Sequence, residues 1–316
     1  MTSNPARVPI YHFFSILTVL AGLLVIPASA ADITLPQANG ETLVLPGPAQ
    51  RIITLAPNLA EILYAAGAGD RLKAVVEYSN FPEPAMNIQR VGDAFRIDLE
   101  QIVALEPDLV IAWSSGTPQS ALKKLEQLGI RVWQLEISRP EQIAEAIENM
   151  SIAAGTEDVG KKEANRLTEK LAGLINNNLN KPPVRYFYQV AFHPLYTVNG
   201  EHIISQGLAL CGGQNVFSEL AALAPRVSHE SVILANPEVL MSAQDHESRP
   251  ALEIWNDWPR MQAVRNGNMF YLPADQISQA TPRFLDSIAL ACQYLDDVRS
   301  ANTTAVELPL GEVQHP

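Results

Sequence analysis

A fourteen-residue pattern occurs twice in this chain, and this repeat restricts the possible folds more than any other feature of the sequence. The two copies are DLEQIVALEPDLVI at residues 98–111 and SHESVILANPEVLM at residues 228–241, which lie 130 positions apart. In each copy a polar residue that can cap a helix, Asp98 or Ser228, precedes a short helical pattern, a proline and an apolar strand. Two copies at this spacing predict two domains of similar construction and not a solenoid.

Apolar runs that predict strands alternate with longer patterned segments that predict helices along most of the chain. Each strand is a nearly unbroken apolar run, which is typical of a parallel sheet covered by helices on both faces. Asn58, followed by Glu61 three residues later, predicts a capping box at the start of one helix. We therefore predict an α/β fold made of two lobes with mainly parallel sheets. The predicted strands are 52–55, 72–76, 109–112, 131–135, 184–190, 239–241 and 268–272, and the predicted helices are 58–66, 117–128, 157–178, 203–210 and 282–298, with one further helix after Asp98 and one after Ser228.

The N-terminal residues have the layout of a secretory signal peptide. Arg7 is followed by an apolar run at 13–26 and then by the small residues Ala28, Ser29 and Ala30. A membrane-spanning helix is the alternative, but the run is shorter than the ~20 residues that a bilayer requires. We therefore predict a signal peptide at residues 1–30 and a mature protein that is soluble in the periplasm.

The rest of the chain divides into four segments. A highly charged stretch without proline predicts a connecting backbone helix at residues 157–180, between an N-terminal lobe at 31–156 and a C-terminal lobe at 181–300. Residues 301–316 lack periodic apolar positions, so we predict a disordered tail there.

The net charge indicates which class of partner to exclude, and the two cysteines indicate whether a disulfide can form. The net charge of the chain is −12. An acidic surface repels phosphate backbones, so we expect no nucleic-acid partner. The two cysteines, Cys211 and Cys292, both remain after export to an oxidising compartment, where a disulfide can form. Two buried free thiols are the alternative.

Several features of the chain occur together in one known family. They are RIITLAP at 51–57, VEYSNFP at 76–82, the stretch 98–113, CGGQNVF at 211–217, TPR at 281–283 and the placement of Cys211 and Cys292. In these features the chain resembles the periplasmic substrate-binding proteins with a helical backbone and, within them, the branch that binds vitamin B12. The resemblance implies the fold of the class III (TroA-like) binding proteins, in which one long backbone helix joins two α/β lobes around a cleft. It also implies that the chain captures cobalamin in this cleft and delivers it to an ABC importer. Cobalamin is then the transported ligand, and no other cofactor is expected.

Aromatic residues mark the predicted ligand site. Tyr78 and Trp113 fall just past the ends of predicted strands, where ligands bind in parallel sheets. Aromatic faces suit a large, flat, partly apolar macrocycle, although ordinary packing is the alternative for each ring. The resemblance adds further candidates for ligand contact, which are Phe95, Tyr196, Asp275, Gln276, Ile277, Ser278 and Gln279.

A haem or iron-siderophore binding protein of the same fold is the alternative function. Tyr78 or Tyr196 could ligate iron, and Arg96 and Arg283 suit an anionic ligand. The chain also carries Ala94 and Ala224 near positions where the vitamin B12 branch has tryptophan.

Glu100 and Glu230 occupy equivalent places in the two copies of the repeat. A carboxylate in the first turn offsets the helix dipole by about 0.3 to 1 kcal/mol, which is one explanation for both. The other is that matched carboxylates on two lobes fit two symmetric permease subunits that present arginines. The resemblance implies the second role, in which a monomeric binding protein docks on the permease dimer of an ABC transporter.

The sequence lacks the motifs that mark other classes of function. The sequence contains no Gly-x-Ser-x-Gly elbow, no phosphate-binding glycine loop and no His-Glu-x-x-His pair, so we expect no enzymatic activity and no catalytic residue. A receptor for zinc or manganese needs ligands from both lobes, whereas no histidine lies between Ala31 and Phe192. We therefore predict no metal site.

Overall fold

The computed structural model describes residues 1–2, 32–244 and 251–307. The predicted signal peptide at 1–30 lies outside the described residues except for its first two positions. The chain divides after Ala31, and every element below belongs to the unit Asp32–Pro316. Within the described ranges, no helix is both long enough and apolar enough to cross a membrane.

The first half of this unit is built on a parallel sheet of five strands, preceded by an antiparallel hairpin. The hairpin consists of β1 (Ile33–Pro36) and β2 (Thr42–Leu45). The order of strands in the sheet is β5-β4-β3-β6-β7. Its strands are β3 (Ile52–Thr54), β4 (Leu72–Val75), β5 (Gln89–Arg90), β6 (Leu109–Trp113) and β7 (Val132–Leu135), and its helices are α1 (Pro57–Ala65), α2 (Leu99–Ala104), α3 (Gln119–Gln127) and α4 (Glu141–Ala154).

The second half is built on a parallel sheet of four strands in the order β11-β10-β8-β9. The helix α5 (Glu157–Asn178) connects the two halves. The strands of the second sheet are β8 (Val184–Gln189), β9 (Gly213–Asn215), β10 (Val239–Gln244) and β11 (Met269–Pro273), and its helices are α6 (Ile203–Ala209), α7 (His229–Ala235), α8 (Gln262–Arg265), α9 (Ala274–Ile277) and α10 (Phe284–Glu307). The α/β architecture with mainly parallel sheets is therefore confirmed.

The central strands are buried because helices cover both faces of each sheet. Residues 109–112 of β6 are fully buried, and only Trp113, at its end, is exposed. The largest hydrophobic cluster includes Ile52 and Leu109 of the first sheet, Tyr186 and Met241 of the second, and Leu167 of α5. The two halves therefore share one core along the connecting helix.

The structure corrects one capping prediction. Asn58 does not cap α1, because Ala56 occupies the N-cap and Pro57 begins the helix. Proline suits this position because its missing N–H would have no helical partner there. Glu61 is instead buried and forms an ion pair with Arg283.

The C-terminal helix is longer than the sequence pattern indicates. α10 continues to Glu307, so the predicted disordered tail at 301–316 is wrong for residues 301–307. Residues 308–316 lie outside the described residues. Cys292, on α10, forms a disulfide with Cys211, which lies between α6 and β9, at a Cα–Cα distance of 5.0 Å. Of the two alternatives for the cysteines, the disulfide is the one present.

Candidate functional site

The carboxyl ends of four neighbouring strands open into one cavity of about 230 Å³. The strands are β5, β4, β3 and β6, which are adjacent in the first sheet. Three of the predicted ligand contacts, Tyr78, Phe95 and Trp113, line this cavity together. Ligands bind at this edge of open α/β sheets, and the structure places these three aromatic rings there. The other lining residues are Leu55, Ala56, Pro57, Val76, Glu77, Asp93, Ala94 and Gly116.

Tyr78 is held away from the core by an unusual backbone conformation. Its φ is +66°, a region that costs a bulky residue of order 1–3 kcal/mol and is found at ligand-binding positions. Arg90 braces the following turn, because its Nη2 donates a hydrogen bond to the carbonyl of Ser79 at 3.2 Å. The side chain of Tyr78 is consequently 76% exposed.

Trp113 is fixed in place while one face of its ring stays accessible. Its indole N–H donates a hydrogen bond to Glu136 Oε1 at 2.9 Å. The same carboxylate accepts a hydrogen bond from the backbone N–H of Ser115 at 3.0 Å. Gly116 is required beside the ring, since a Cβ there would lie 2.1 Å from Trp113 Cε3. The ring is 41% exposed, so this rigid arrangement leaves apolar surface for a ligand.

Phe95 projects from a turn that Asp93 stabilises. Asp93 Oδ1 accepts hydrogen bonds from the backbone N–H groups of Phe95 at 2.7 Å and Arg96 at 2.8 Å. These two bonds lower the pKa of the Asp93 carboxyl. The turn presents the Phe95 side chain to solvent with 87% of its surface exposed.

A second cavity, of about 410 Å³, adjoins the first and is lined by residues of both halves of the molecule. Tyr78 and Pro57 line both cavities. The predicted ligand contacts Asp275 and Gln279 line the second one, where they follow the carboxyl end of β11. The remaining residues around it are Glu61, Asn80, Phe81, Ala274 and Arg283.

Arg283 connects the two sides of this second cavity. Its Nη2 lies 2.8 Å from Glu61 Oε2, and its Nη1 donates to Asp275. Its guanidinium carbon also lies 3.8 Å from the centre of the Phe81 ring. Burial is the largest influence on the pKa of Arg283 and lowers it, but the hydrogen bonds and charges of Glu61 and Asp275 outweigh burial and raise the pKa.

The other predicted ligand contacts lie outside the two cavities. Tyr196 is half-buried in the loop after β8, where it pairs with Ala191 and Arg226 through backbone bridges. Gln276 and Ser278 are near Asp275 in sequence but line neither cavity. Ile277 is 1% exposed and packs in the largest hydrophobic cluster. Its side chain is therefore enclosed in the core, and a ligand contact at this position stays a prediction.

The predicted docking glutamates occupy the first turns of α2 and α7. Asp98 caps α2 by accepting a hydrogen bond from the N–H of Gln101 at 3.0 Å, and Ser228 caps α7 by accepting one from Ser231 at 3.2 Å. Both predicted caps are therefore confirmed. Glu100 and Glu230 are exposed, and neither forms an ion pair with another described residue. The pKa of Glu230 is lowered by its own backbone N–H and by the side chain of Ser228.

Sequence reasoning missed several residues that shape the site. Glu61 appeared as a helix cap, and Arg283 as a cation for an anionic ligand, while Asn80, Phe81 and Glu136 had no assigned role. Glu61 lies one turn into an apolar helix, a position that could have indicated a buried partner. Among the described residues, no group of three or more histidine, cysteine, aspartate or glutamate side chains could hold a metal ion.

Comparison with known proteins gives a consistent family. A family model described as periplasmic binding protein matches residues 52–276. The vitamin B12-binding protein of Vibrio cholerae is 38% identical over 254 residues, which cover 80% of this chain and 91% of that protein. The protein of the same name from Vibrio campbellii is 40% identical over 254 residues, covering 80% of this chain and 92% of that protein.

Solved structures give the same result. The crystal structure of the periplasmic vitamin B12 binding protein BtuF of Vibrio cholerae is 37% identical, with a TM-score of 0.75 over 80% of this chain and 98% of that chain. The periplasmic heme-binding protein BhuT, in complex with two hemes, is 18% identical, with a TM-score of 0.71 over 80% of this chain and 100% of that chain. The second likeness concerns the fold alone. The chain belongs to the periplasmic binding protein family.

Proposed function

We propose that this chain binds vitamin B12 (cobalamin) between its two α/β halves and delivers it to an ABC importer in the inner membrane. The observation that carries the proposal is the group formed by Tyr78, Phe95 and Trp113. These three exposed aromatic rings line one cavity at the carboxyl ends of parallel strands. Asp275 and Gln279 approach Tyr78 from the other half through the adjoining cavity.

The chemistry of this group suits a corrinoid. A contiguous apolar surface left open to water on a monomeric protein marks a site for a partner or ligand. Aromatic rings offer large flat faces for a macrocycle, and burying each ring contributes about 1.5 to 3 kcal/mol. The polar groups of Asp275 and Gln279 can form hydrogen bonds with amide substituents at the edge of such a ligand.

The relatives support the same ligand. The proteins that share 38% and 40% identity with this chain are named vitamin B12-binding proteins, and the similarity covers 80% of this chain. We propose a role in binding and transport and not in catalysis.

Transport requires a partner in the membrane. We propose that Glu100 and Glu230, on matching helices, dock on the two permease subunits of the importer through arginine–carboxylate pairs. The protein would act as a soluble monomer in the periplasm after removal of residues 1–30. The support for the docking role is the equivalent placement of the two exposed carboxylates, Glu100 and Glu230, in the first turns of α2 and α7.

Calorimetric titration of the mature protein with cyanocobalamin, haemin and ferrichrome tests the ligand. We expect cyanocobalamin to bind with one molecule per chain, and haemin and ferrichrome to release no specific heat. Tight binding of haemin or ferrichrome, together with no heat from cyanocobalamin, would overturn the assignment of the ligand and favour a haem or siderophore receptor of the same fold.

A further inference from the structure

Arg283 lies where side chains from both halves of the molecule meet. It immediately precedes α10 of the second half, whereas Glu61 lies on α1 of the first, 222 positions away in the sequence. Arg283 Nε lies 3.1 and 3.2 Å from the two oxygens of Glu61, and Nη2 lies 2.8 Å from Oε2. The guanidinium group therefore holds the whole carboxylate of Glu61 with its planar donors.

The burial of this pair separates it from the other ion pairs of the described residues. The side chain of Arg283 is 16% exposed and that of Glu61 is 4% exposed. The ion pair between Lys170 of α5 and Asp286 of α10, by contrast, has an aspartate that is 59% exposed. Breaking a buried ion pair is strongly destabilising, because removing either partner leaves an uncompensated charge away from water.

Two further contacts connect the same guanidinium group to the ligand site. Its Nη1 donates to Asp275, which lines the second cavity from the side of the second sheet. Its planar face lies 3.8 Å from the centre of the Phe81 ring, on the side of the first sheet. Phe81 is three residues after Tyr78, and both line this cavity.

We infer that Arg283 is a positioning residue, which clamps the two halves of the ligand site in register by holding Glu61 and Phe81 on one side and Asp275 on the other. This inference rests on the proposed function, because the site that it positions is the proposed cobalamin site. Arg283 uses its donors on protein groups and is not required to touch the ligand.

Only an arginine satisfies all three contacts at once. Its planar group carries five N–H donors in a fixed fork and stacks on aromatic faces, whereas lysine offers a compact charge on a flexible stem. Arg283→Lys keeps the charge but loses the paired geometry at Glu61 together with the contact to Phe81. If the clamp fixes the relative placement of the halves, this variant should loosen the site although the net charge is unchanged.

Loosening should weaken binding, because a smaller fraction of the molecules would have the two halves in the arrangement that binds the ligand. When only a fraction of molecules has the two halves correctly placed, the apparent Kd rises by the inverse of that fraction. A tenfold increase in Kd requires that about one molecule in ten is correctly placed. The placement exists before the ligand arrives, so it can be measured in the ligand-free protein.

Pulsed electron–electron double resonance (DEER) on the ligand-free protein measures the distance between labels on the two halves. Nitroxide labels are attached at Lys123→Cys on α3 and Arg265→Cys on α8, both exposed positions on opposite halves. The variants are Arg283→Met, Arg283→Lys and Glu61→Gln. The matched control is Lys170→Met, which removes the exposed ion pair between α5 and α10. Cyanocobalamin titration and thermal unfolding are recorded for each protein.

We expect a narrow distance distribution in the wild-type protein and in Lys170→Met, and a broader or shifted one in the three clamp variants. We expect the Kd for cyanocobalamin to rise at least tenfold in Arg283→Met and to stay within twofold of wild type in Lys170→Met. An unchanged distribution in folded Arg283→Lys and Glu61→Gln, which serve if Arg283→Met does not fold, overturns the inference. Loss of affinity without a change in distance also overturns it, since Arg283 would then act on the ligand itself.

The two proposals fail separately. If the wild-type protein does not bind cyanocobalamin, the proposed ligand is wrong. The distance distributions of the ligand-free proteins still decide whether Arg283 clamps the two halves.

Discussion

Trp113, Tyr78 and Phe95 reach the same cavity through three different local arrangements. A glutamate and a glycine hold the Trp113 ring. A positive φ turns Tyr78 outward, and an aspartate-stabilised turn presents Phe95. Each arrangement fixes an apolar side chain in contact with water before any ligand is present. Such preorganisation reduces the entropy lost on binding.

The Trp113→Ala variant tests the role of these rings. We expect the affinity for cyanocobalamin to fall roughly 10- to 100-fold, since burying a side chain of this size contributes about 1.5 to 3 kcal/mol and each 1.4 kcal/mol is tenfold. Leu128→Ala is the matched control, because Leu128 is an exposed apolar side chain outside both cavities. Equal affinities in the two variants, measured by calorimetry, would remove Trp113 from the site.

At this scale the sequence predicts residues that follow recognisable strands and misses residues paired over long distances. Tyr78 and Trp113 could be found because the apolar runs before them mark strand ends. The pairing of Glu61 with Arg283 depends on the tertiary fold, which brings together residues 222 positions apart, and no local pattern contains this information. The burial of Ile277 was not predictable either, because proximity in sequence to Asp275 does not determine which way a side chain points.

At the scale of elements, the repeated helix–strand unit is the most informative part of the fold. α2 and α7 begin with capping side chains, Asp98 and Ser228, and each is followed by a strand of its sheet. The unit was readable because capping, helix termination and apolar strand each leave a local signal. α4 also has a local signal, because Ile143, Ile147 and Met150 recur at helical spacing. β1 and β2 are only 4 residues each, too short for a clear alternation.

The proposed docking glutamates on α2 and α7 give a prediction for transport. Glu100→Lys combined with Glu230→Lys should abolish uptake of cobalamin by cells while the Kd of the purified protein stays near wild type, because both carboxylates lie outside the ligand cavities. The matched control is Glu141→Lys with Glu157→Lys, which reverses two charges in the first turns of α4 and α5. Uptake that is equally reduced in both double variants, or lost affinity in the first, contradicts a docking role.

The cap of α2 gives a prediction for pH. The N–H of Gln101 and then its side chain lower the pKa of Asp98. A carboxyl with a depressed pKa stabilises the fold above its unfolded pKa of about 3.9, and this contribution is lost as the pH falls through the folded pKa. Asp98→Asn keeps a capping side chain but does not titrate. Urea unfolding at a series of pH values should show wild type losing stability relative to Asp98→Asn below about pH 4. If the stabilities of wild type and Asp98→Asn change in parallel down to pH 3, Asp98 does not contribute to the pH dependence of folding.

At the scale of the whole molecule, two parallel sheets share a hydrophobic core that extends along α5. This is the architecture of the class III binding proteins, and a continuous core together with one connecting helix favours small movements between the halves. The alternation of strands and helices predicts the parallel sheets and the repeat predicts two lobes, whereas the class III architecture followed from the family resemblance. The continuity of the core was not predictable, because it depends on how α5 packs against α4 and α1 of the first half and α10 of the second.

The disulfide gives a prediction for global stability. Cys211 and Cys292 are separated by 81 residues and lie in the largest hydrophobic cluster. The chain-entropy model gives an upper estimate of about 4.5 kcal/mol for closing a loop of this length. The double variant Cys211→Ser and Cys292→Ser should therefore unfold at lower urea concentration, with the Kd for cyanocobalamin near wild type. An unchanged unfolding midpoint would contradict the stabilising role, and a large loss of affinity would show that the bond also shapes the site.

The crystal structure of the mature protein with bound cyanocobalamin tests the central claim most directly. We expect the corrin ring to lie within van der Waals distance of Tyr78, Phe95 and Trp113, with Asp275 or Gln279 in hydrogen-bond contact at its edge. A cobalamin bound elsewhere, such as in the separate cavity lined by Leu234, Trp258 and Met261, with the three aromatic rings still exposed to solvent, would contradict the account.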